Sequence, residues 1–387
     1  MRSIPYGRQN INEEDIEAVV NVLKSDWLTQ GPTVERFEQV VAEYCGAKYA
    51  VAVNSATSAL HIACMAAELQ AGDCLWTSPN TFVASANCGL YCGADVDFVD
   101  IDEKTYNMSS VKLDEKLSHK QVEGKLPKVV IPVHFSGQSC DMETISSLSK
   151  EYGFTVIEDA SHAIGGSYRN SKIGSCQYSD MTVFSFHPVK IITTGEGGMI
   201  LTNRRDLYEK LLRLRSHGIT RNPENMVGDS DGPWYYQQIE LGFNYRMTDI
   251  QAGLGIQQMK RIDEFINRRV EIAEYYTKKM QGLPLVLPYQ ESDTRSAWHL
   301  YVIKINHKVC AQNRHQVFEA LRARGLGVNV HYIPVHTQPY YQELGFKYGD
   351  FPLAEKYYEQ AISIPMFYSL TYEEQDYVIQ AITEVLE

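Results

Sequence analysis

Between Lys48 and Asn203 one grammar repeats along the chain. Short apolar runs rich in β-formers end abruptly in small polar residues, and helical stretches follow many of them. "KYAVAVNS" leads into "ATSALHIACMAAEL", "CLWTSP" into "TFVASANCGLYCG", and "KVVIPVHFSG" into "METISSLSKEYG". "DVDFVDI", "TVIEDASH", "MTVFSFH" and "GGMILTN" read as further strands. Strands apolar along their whole length are buried on both faces. Their alternation with helices implies an α/β fold with a mostly parallel sheet covered on both sides. In such a sheet ligands bind beyond the carboxyl ends of the strands, so the polar residues after each strand are the site candidates.

The flanks are helical at one end and mixed at the other. "NEEDIEAVVNVLKSD" places Ile16, Val19, Val20 and Leu23 on one face, with Asn12 as N-cap. "TVERFEQVVAEYCG" reads as a second helix capped by Thr33 and ended by Gly46. Beyond about residue 250 a long helical stretch runs from Asp249 to Gly282. Strands at "LPLVLP", "HLYVIKIN" and "LGVNVHYIP" and a helix at "NRHQVFEALRARG" follow it. We expect a large unit over 1–255, including the N-terminal segment, and a smaller α+β unit over 256–387. The 387 residues, 44% of them hydrophobic, suffice for both cores.

Charge and targeting signals narrow the function classes. A net charge of −12 argues against sequence-independent nucleic-acid binding, which needs clustered Lys and Arg. No apolar run reaches the roughly 18 residues of a membrane helix, and the N-terminus lacks the apolar core of a secretory signal. A cytoplasmic protein without membrane or nucleic-acid partners is expected. Cys88 and Cys92 stand one helical turn apart, but the eight cysteines show no C-x-x-C or Cys/His spacing. They read as buried free thiols in a reducing compartment. His134, His299, His331 and His336 lack matching Cys or carboxylate spacing, so no metal is expected.

Four strand ends carry polar clusters, each with two readings. "NSATSAL" at a strand-to-helix junction is either an ordinary N-cap by Ser55 or Thr57, or an anion cradle of free helix amides. In "VIEDASHAIGG", Asp159 either caps a helix or binds a cationic ring nitrogen, and His162 follows three residues later. Lys190, five residues after Ser185, either snorkels to solvent or is a desolvated nucleophile. "LGFNYRMTDIQAGLG" is a loop holding Asn244, before a helix capped by Thr248. Together an anion cradle, a strand-end carboxylate and a loop lysine match what pyridoxal 5′-phosphate (PLP) requires: a phosphate cup, a partner for its ring nitrogen and an amine. No glycine-rich nucleotide-binding motif competes.

The same stretches, with "DWLTQGP", "FSFHPVKIITTGEGGMILTN" and "LRSHGI", resemble the DegT/DnrJ/EryC1/StrS family of nucleotide-sugar aminotransferases, over residues 1 to about 340. The resemblance implies the PLP-dependent transferase fold type I, with a large domain and a smaller C-terminal one. It makes Lys190 the amine that joins the cofactor and moves protons, Asp159 the partner of the ring nitrogen, and His162 a neighbour of the ring oxygen. Ser185 with the backbone of Ala56 and Thr57 would hold the phosphate, and Phe82 would stack on the ring. Asn244 would reach the phosphate of a second subunit in a homodimer. Tyr6, Asp26, Trp27, Leu28, Thr29, Ser55, Asn329, Val330, His331 and Tyr332 would line the sugar-nucleotide pocket. Within the family, "IPYGRQNINEEDI", "GPWYYQQIELGFNYRMTD" and "VNVHYIPVHTQPYY" are most similar to members acting in pseudaminic acid synthesis. These move an amino group from L-glutamate to C4 of a UDP-linked 4-keto-6-deoxy-N-acetylhexosamine. Amination of another nucleotide-linked keto sugar at C3 or C4 is the alternative. A PLP-binding sensor without activity is disfavoured, because Lys190, Asp159 and the pocket residues are all present.

Overall fold

The computed structural model describes residues 3–386, which leaves Met1, Arg2 and Glu387, at the outer limits of the two expected units, outside it. Seven strands form the main sheet: β1 (Tyr49–Val53), β2 (Cys74–Thr77), β3 (Asp95–Phe98), β4 (Val129–Ile131), β5 (Thr155–Asp159), β6 (Met181–Ser185) and β7 (Gly198–Thr202). Their spatial order is β1-β7-β6-β5-β4-β2-β3. The pairs from β6 through to β3 are parallel, whereas β7 runs antiparallel to both β6 and β1. A helix-free loop joins β6 to β7, and without a crossover helix the strand must reverse.

Both faces of this sheet are covered, and the period of two shows it. On β1 and β7, Val51, Val53 and Ile200 face one core, while Ala50, Ala52, Met199 and Leu201 face another. The first core is closed by α3 (Ala56–Ala66), α4 (Ala84–Tyr91) and α7 (Arg205–Leu214). The second is closed by α2 (Pro32–Cys45), α8 (Asp249–Met259) and α9 (Ile262–Lys279). Farther along the sheet, α5 (Ser110–Glu123) and α6 (Met142–Tyr152) pack on Trp76, Val130 and Val156. Helices α5 and α7 stand outside the sequence expectation, although Leu207, Leu211 and Leu214 give α7 a clear apolar stripe.

Four other expectations need correction. Helix α1 (Glu13–Leu23) is capped by Asn12 and Asp15 in a reciprocal box, but its expected inner face is wrong. Ile16 and Leu23 are 48% and 53% exposed, and Asp15 and Val22 are the buried residues. Asp15 turns inward because Gln258 and Arg261 bind its carboxylate. Thr33 is not the cap of α2. Gly31 holds that position, Pro32 opens the helix, and the Asp249 carboxylate accepts the amides of Gly31, Thr33 and Val34. The cap thus comes from α8, more than two hundred residues away in sequence. The long helical stretch after residue 249 is broken at Lys260–Arg261 into α8 and α9. "LGVNVHYIP" forms no strand; its ladder pairing is limited to isolated bridges at Leu326 and Asn329.

A second core lies in the C-terminal part. Strands β8 (Leu285–Val286), β9 (Tyr301–Ile305) and β10 (Ala361–Ile364) make a small antiparallel sheet. Tyr301, Ile303, Ile362 and Ile364 pack there against Val317 and Leu321 of α10 (Arg314–Ala323). Ile272 and Tyr276 of α9 and the residues Val378, Ile382 and Val385 of the last helix, Tyr372–Leu386, complete this core. Ile4 joins it, and residues 4–6 hydrogen-bond to Gly325, Gly327 and Met366. No described helix is long and apolar enough to cross a membrane.

Candidate active site

The carboxyl ends of β1, β2, β4, β5 and β6 converge on one cavity of about 740 Å³, a size suited to a cofactor with part of a substrate. The C-terminal part closes it with His299, His331 and Tyr332, and the N-terminal segment adds Tyr6.

Its anion pole is the start of α3. The Ser55 side chain accepts the amide of Ser58 and the Ser55 carbonyl accepts that of Ala59, leaving the amides of Ala56 and Thr57 without intrahelical partners. Both readings of "NSATSAL" therefore hold at once: Ser55 is a cap, and the next two amides are free donors at the positive end of a helix. Ser185, the last residue of β6, lies across from them in the same cavity. Gly198 makes this approach possible. A Cβ there would stand 2.5 Å from the Ser55 carbonyl oxygen and 2.6 Å from the Ala56 nitrogen, so any side chain would push the helix start away.

The carboxylate pole is Asp159, at the end of β5 and only 5% exposed. Parallel pairing fixes its backbone: its amide donates to Pro132, and its carbonyl accepts from His134. Ser161 donates its amide (3.1 Å) and hydroxyl (2.6 Å) to Oδ1, and Ser85 donates its hydroxyl to Oδ2 at 2.6 Å. On the other face of the sheet Glu158 pairs with buried His134 at 2.6 Å. Neighbouring strand-end acids thus face opposite ways: Glu158 enters a structural pair, and Asp159 enters the cavity.

Lys190 stands in the loop between β6 and β7, part-buried in the cavity wall. Burial pushes its ammonium down to about 8, partly opposed by the charge of Asp159. No described residue forms an ion pair with it. The snorkelling reading fails, because the side chain ends in the cavity instead of in open solvent.

Histidines and tyrosines line the remaining wall. His162 is 5% exposed, accepts the Ser136 amide on Nδ1 (3.3 Å), and meets the Tyr332 hydroxyl through Nε2 at 3.0 Å. That pattern places its proton on Nε2. Burial, then the charges of Lys190 and His331, hold it well below the ordinary histidine range, so the ring is neutral. His331 is pushed down to about 4 by burial and Lys190, and its Nδ1 bonds Ser363 at 2.8 Å. Phe82 lies in the turn before α4 at the cavity wall, 58% exposed, with its ring 6.3 Å from that of Tyr332.

Of the expected site residues, Tyr6, Ser55, Ala56, Thr57, Phe82, Asp159, His162, Ser185, Lys190, His331 and Tyr332 meet in this cavity. Others do not line it. Asp26, Trp27, Leu28 and Thr29 are exposed on the loop between α1 and α2, and Asn244 is exposed before α8. Asn329 sits behind His331, 3.4 Å from its Nε2, and Val330 follows it outside the cavity wall. Residues given no cavity role from the sequence also line it, among them Ser161, His187, Gln251 and His299, the last considered there only as a metal ligand. The His299 ring lies 4.4 Å from that of His162, tilted by 43°, and its buried Nδ1 has no hydrogen-bond partner among the described residues. Ser161, His187 and Gln251 lay inside motifs already singled out; His299 heads the expected strand "HLYVIKIN", which starts only at Tyr301. No group of three or more His, Cys, Asp or Glu is arranged for a metal among the described residues.

The donor set fits PLP. Two free amides beside a hydroxyl form an anion cup, a fixed carboxylate stands ready for a protonated ring nitrogen, and an amine of lowered basicity lies in the same cavity. Comparison with known proteins agrees. The model of the DegT/DnrJ/EryC1/StrS aminotransferase family matches residues 9–383. Spore coat polysaccharide biosynthesis protein SpsC of Bacillus subtilis is 41% identical, the match covering 99% of this chain and 97% of that protein. A UDP-4-amino-4,6-dideoxy-N-acetyl-beta-L-altrosamine transaminase of Campylobacter jejuni is 37% identical over 99% of this chain and 98% of its own length. Among solved structures, Helicobacter pylori PseC, an aminotransferase of pseudaminic acid biosynthesis, superposes with a TM-score of 0.90 at 30% identity, covering 100% of this chain and 99% of that one. The PLP form of the putative sugar aminotransferase Spr1654 of Streptococcus pneumoniae gives 0.89 at 28% identity, covering 99% and 98%.

Proposed function

This chain belongs to the DegT/DnrJ/EryC1/StrS aminotransferase family, and from that premise we propose that it aminates C4 of a UDP-linked 4-keto-6-deoxy-N-acetylhexosamine. The amino group comes from L-glutamate, which leaves as 2-oxoglutarate, and the product is UDP-4-amino-4,6-dideoxy-N-acetyl-β-L-altrosamine for pseudaminic acid synthesis. The coarser statement needs no proposal: the protein is a PLP-dependent sugar aminotransferase. What carries the finer reading is full-length similarity at 37% identity to a transaminase of that name.

Within the cavity each residue has a separable task. The amides of Ala56 and Thr57 and the hydroxyl of Ser185 hold the phosphate. Asp159, aimed by Ser85 and Ser161, would pair with the protonated ring nitrogen. Phe82 covers one face of the ring, and neutral His162, fixed by Ser136 and Tyr332, lies near the ring oxygen. PLP, when bound, supplies the electron sink that lets the carbon–hydrogen bond beside the transferred nitrogen break. Lys190 Nζ takes up and returns that proton, because its lowered basicity makes it an effective acid and base near neutral pH. Tyr6, Ser55, His331 and Tyr332 offer polar contacts to the sugar. Asp26 to Thr29 and Asn244, exposed in one chain, act across the interface of a homodimer.

One observation favours a second reading: SpsC, at 41% identity, belongs to spore coat polysaccharide synthesis, so a different nucleotide-linked keto sugar is the rival substrate. The holoenzyme with L-glutamate and a panel of 3-keto and 4-keto nucleotide sugars decides between them. Formation of 2-oxoglutarate with the UDP-4-keto sugar, and an NMR spectrum placing the new amine at C4, is the expected result. Turnover confined to another sugar of the panel transfers the assignment to that sugar.

A further inference from the structure

We infer that Thr81 and Ser85 form a hydroxyl relay that positions and polarises the Asp159 carboxylate, an inference that rests on Asp159 being the partner of the cofactor's ring nitrogen. Thr81 lies in the turn before α4 and Ser85 in the first turn of that helix, and neither drew attention in the sequence. Ser85 is fully buried and Thr81 is 2% exposed. Ser85 Oγ lies 2.6 Å from Asp159 Oδ2 and 2.8 Å from Thr81 Oγ1.

Proton counting orders the chain. An ionised carboxylate only accepts, so Ser85 spends its single proton on Asp159. At the second contact Ser85 must then accept, and Thr81 donates. Thr81 lines the cavity, so the relay runs from the cavity wall to the carboxylate. Neither hydroxyl is used to cap α4, whose N-cap Val83 receives no side-chain hydrogen bond. Ser161 reaches Oδ1 from the turn that follows Asp159, whereas Ser85 reaches Oδ2 from a separate element. The two fix the plane of the carboxylate from two sides. No described basic side chain forms an ion pair with Asp159; these hydroxyl and amide donors are the partners of its carboxylate. Bonds from neutral donors to a charged acceptor are short and strong, and they hold the carboxylate in its charged form.

Removing the Ser85 donor makes the carboxylate more basic and leaves it freer to turn. It then competes better for the proton it shares with the ring nitrogen. The ring loses positive character, and the nitrogen at Lys190 becomes more basic. Ser85 and Thr81 are therefore positioning residues, and their signature is spectroscopic as well as kinetic.

The test uses the holoenzyme and follows the visible absorbance of bound cofactor against pH, together with kcat and KM. Ser85→Ala is expected to raise the pH midpoint of that band by about one unit and to lower kcat about tenfold, with less change in KM for the sugar. Thr81→Val moves both in the same direction by less, and Thr81→Ser, which keeps the hydroxyl, restores them. If Ser85→Ala fails to fold, Thr81→Val, similar in shape, carries the test alone. A band midpoint and kcat within about twofold of the parent in these variants, whatever their melting temperature, overturns the relay; so does equal behaviour of Thr81→Ser and Thr81→Val. Asp159→Asn separates the two levels. If it leaves the band unmoved, the role of Asp159 itself is wrong. If it moves the band and the hydroxyl variants do not, only the relay falls.

Discussion

The strand-end cavity and the exposed loops at residues 26–29 and 244 are built differently. In the cavity, Asp159, His162 and Ser185 are 5%, 5% and 8% exposed, and each is held by hydrogen bonds or ladder pairing. Outside the cavity, Trp27 and Leu28 are 54% and 47% exposed, and Asn244 is exposed as well. Main-chain atoms carry the contacts of that second group: Leu28 accepts the amide of Asp249, Thr29 bridges Thr248, Asn244 bridges Ser216, and the Ser25 hydroxyl bonds the amide and carbonyl of Trp27. The contrast follows from topology. A parallel sheet brings its strand ends to one edge, so a single chain can assemble the cofactor cradle. The loops at residues 26–29 and at Asn244 lie away from that edge and do not line the cavity; the role proposed for them needs a second subunit.

The most forceful challenge to this contrast is Lys190→Ala. If the cofactor side is complete within one chain, the variant loses multiple-turnover transamination by on the order of 10³-fold or more, with its circular dichroism spectrum kept. Retained turnover breaks the assignment of the whole cradle. A pH experiment probes the same lysine without mutation. Its folded pKa is lowered from the ordinary 10.5 to about 8, so the neutral, reactive amine becomes populated as pH rises through that value. The rate at which cofactor-free protein reloads PLP is expected to rise about 50-fold between pH 6 and 8 and to level above that. Stopped-flow absorbance measures it, and a rate still climbing steeply at pH 10 contradicts a desolvated amine.

Gly198→Ala tests the close approach of strand and helix. With the new Cβ 2.5 Å from Ser55, it is expected to cost about 1–3 kcal/mol in urea unfolding and to weaken PLP retention in proportion. A variant of parental stability shows that the helix start has room. The mildest effect belongs to the exposed side. Asn244→Ala is expected to change stability by under about 0.5 kcal/mol while slowing turnover. Mixed with the Lys190→Ala protein, it regains activity that neither has alone if Asn244 serves the partner's site. Absence of recovery in mixed dimers places Asn244 in its own chain's site or in none.

The cradle was legible because its members sit where local pattern is strongest. Asp159, Ser185 and the start of α3 each follow an apolar run at once, and Lys190 lies in the loop between two such runs. Their supports were not legible. Ser85 reaches Asp159 across 74 residues of sequence, and no spacing rule connects them. His299 enters the cavity from the segment before β9, in a part of the chain whose strands are short and weakly patterned. The same limit governs the helix ends. Asn12 caps α1 from within its own segment, as expected, whereas α2 takes its cap from Asp249 and leaves Thr33 as an amide donor. Apolar periodicity also misjudged α1, because Ile16 and Leu23 face outward while Asp15 is drawn in by Arg261 and Gln258.

By itself the sequence determined the class of sheet, the edge at which chemistry gathers, and the lysine, carboxylate and anion cup that imply a pyridoxal cofactor. These follow from periodicity and from residue types at strand ends, both local properties. The tertiary structure alone decided which strand reverses, which face of a helix is buried, which hydroxyls hold Asp159, and which expected pocket residues stay outside the cavity. Those outcomes depend on contacts between residues distant in sequence, and a local pattern carries no information about which distant partner satisfies a buried polar group.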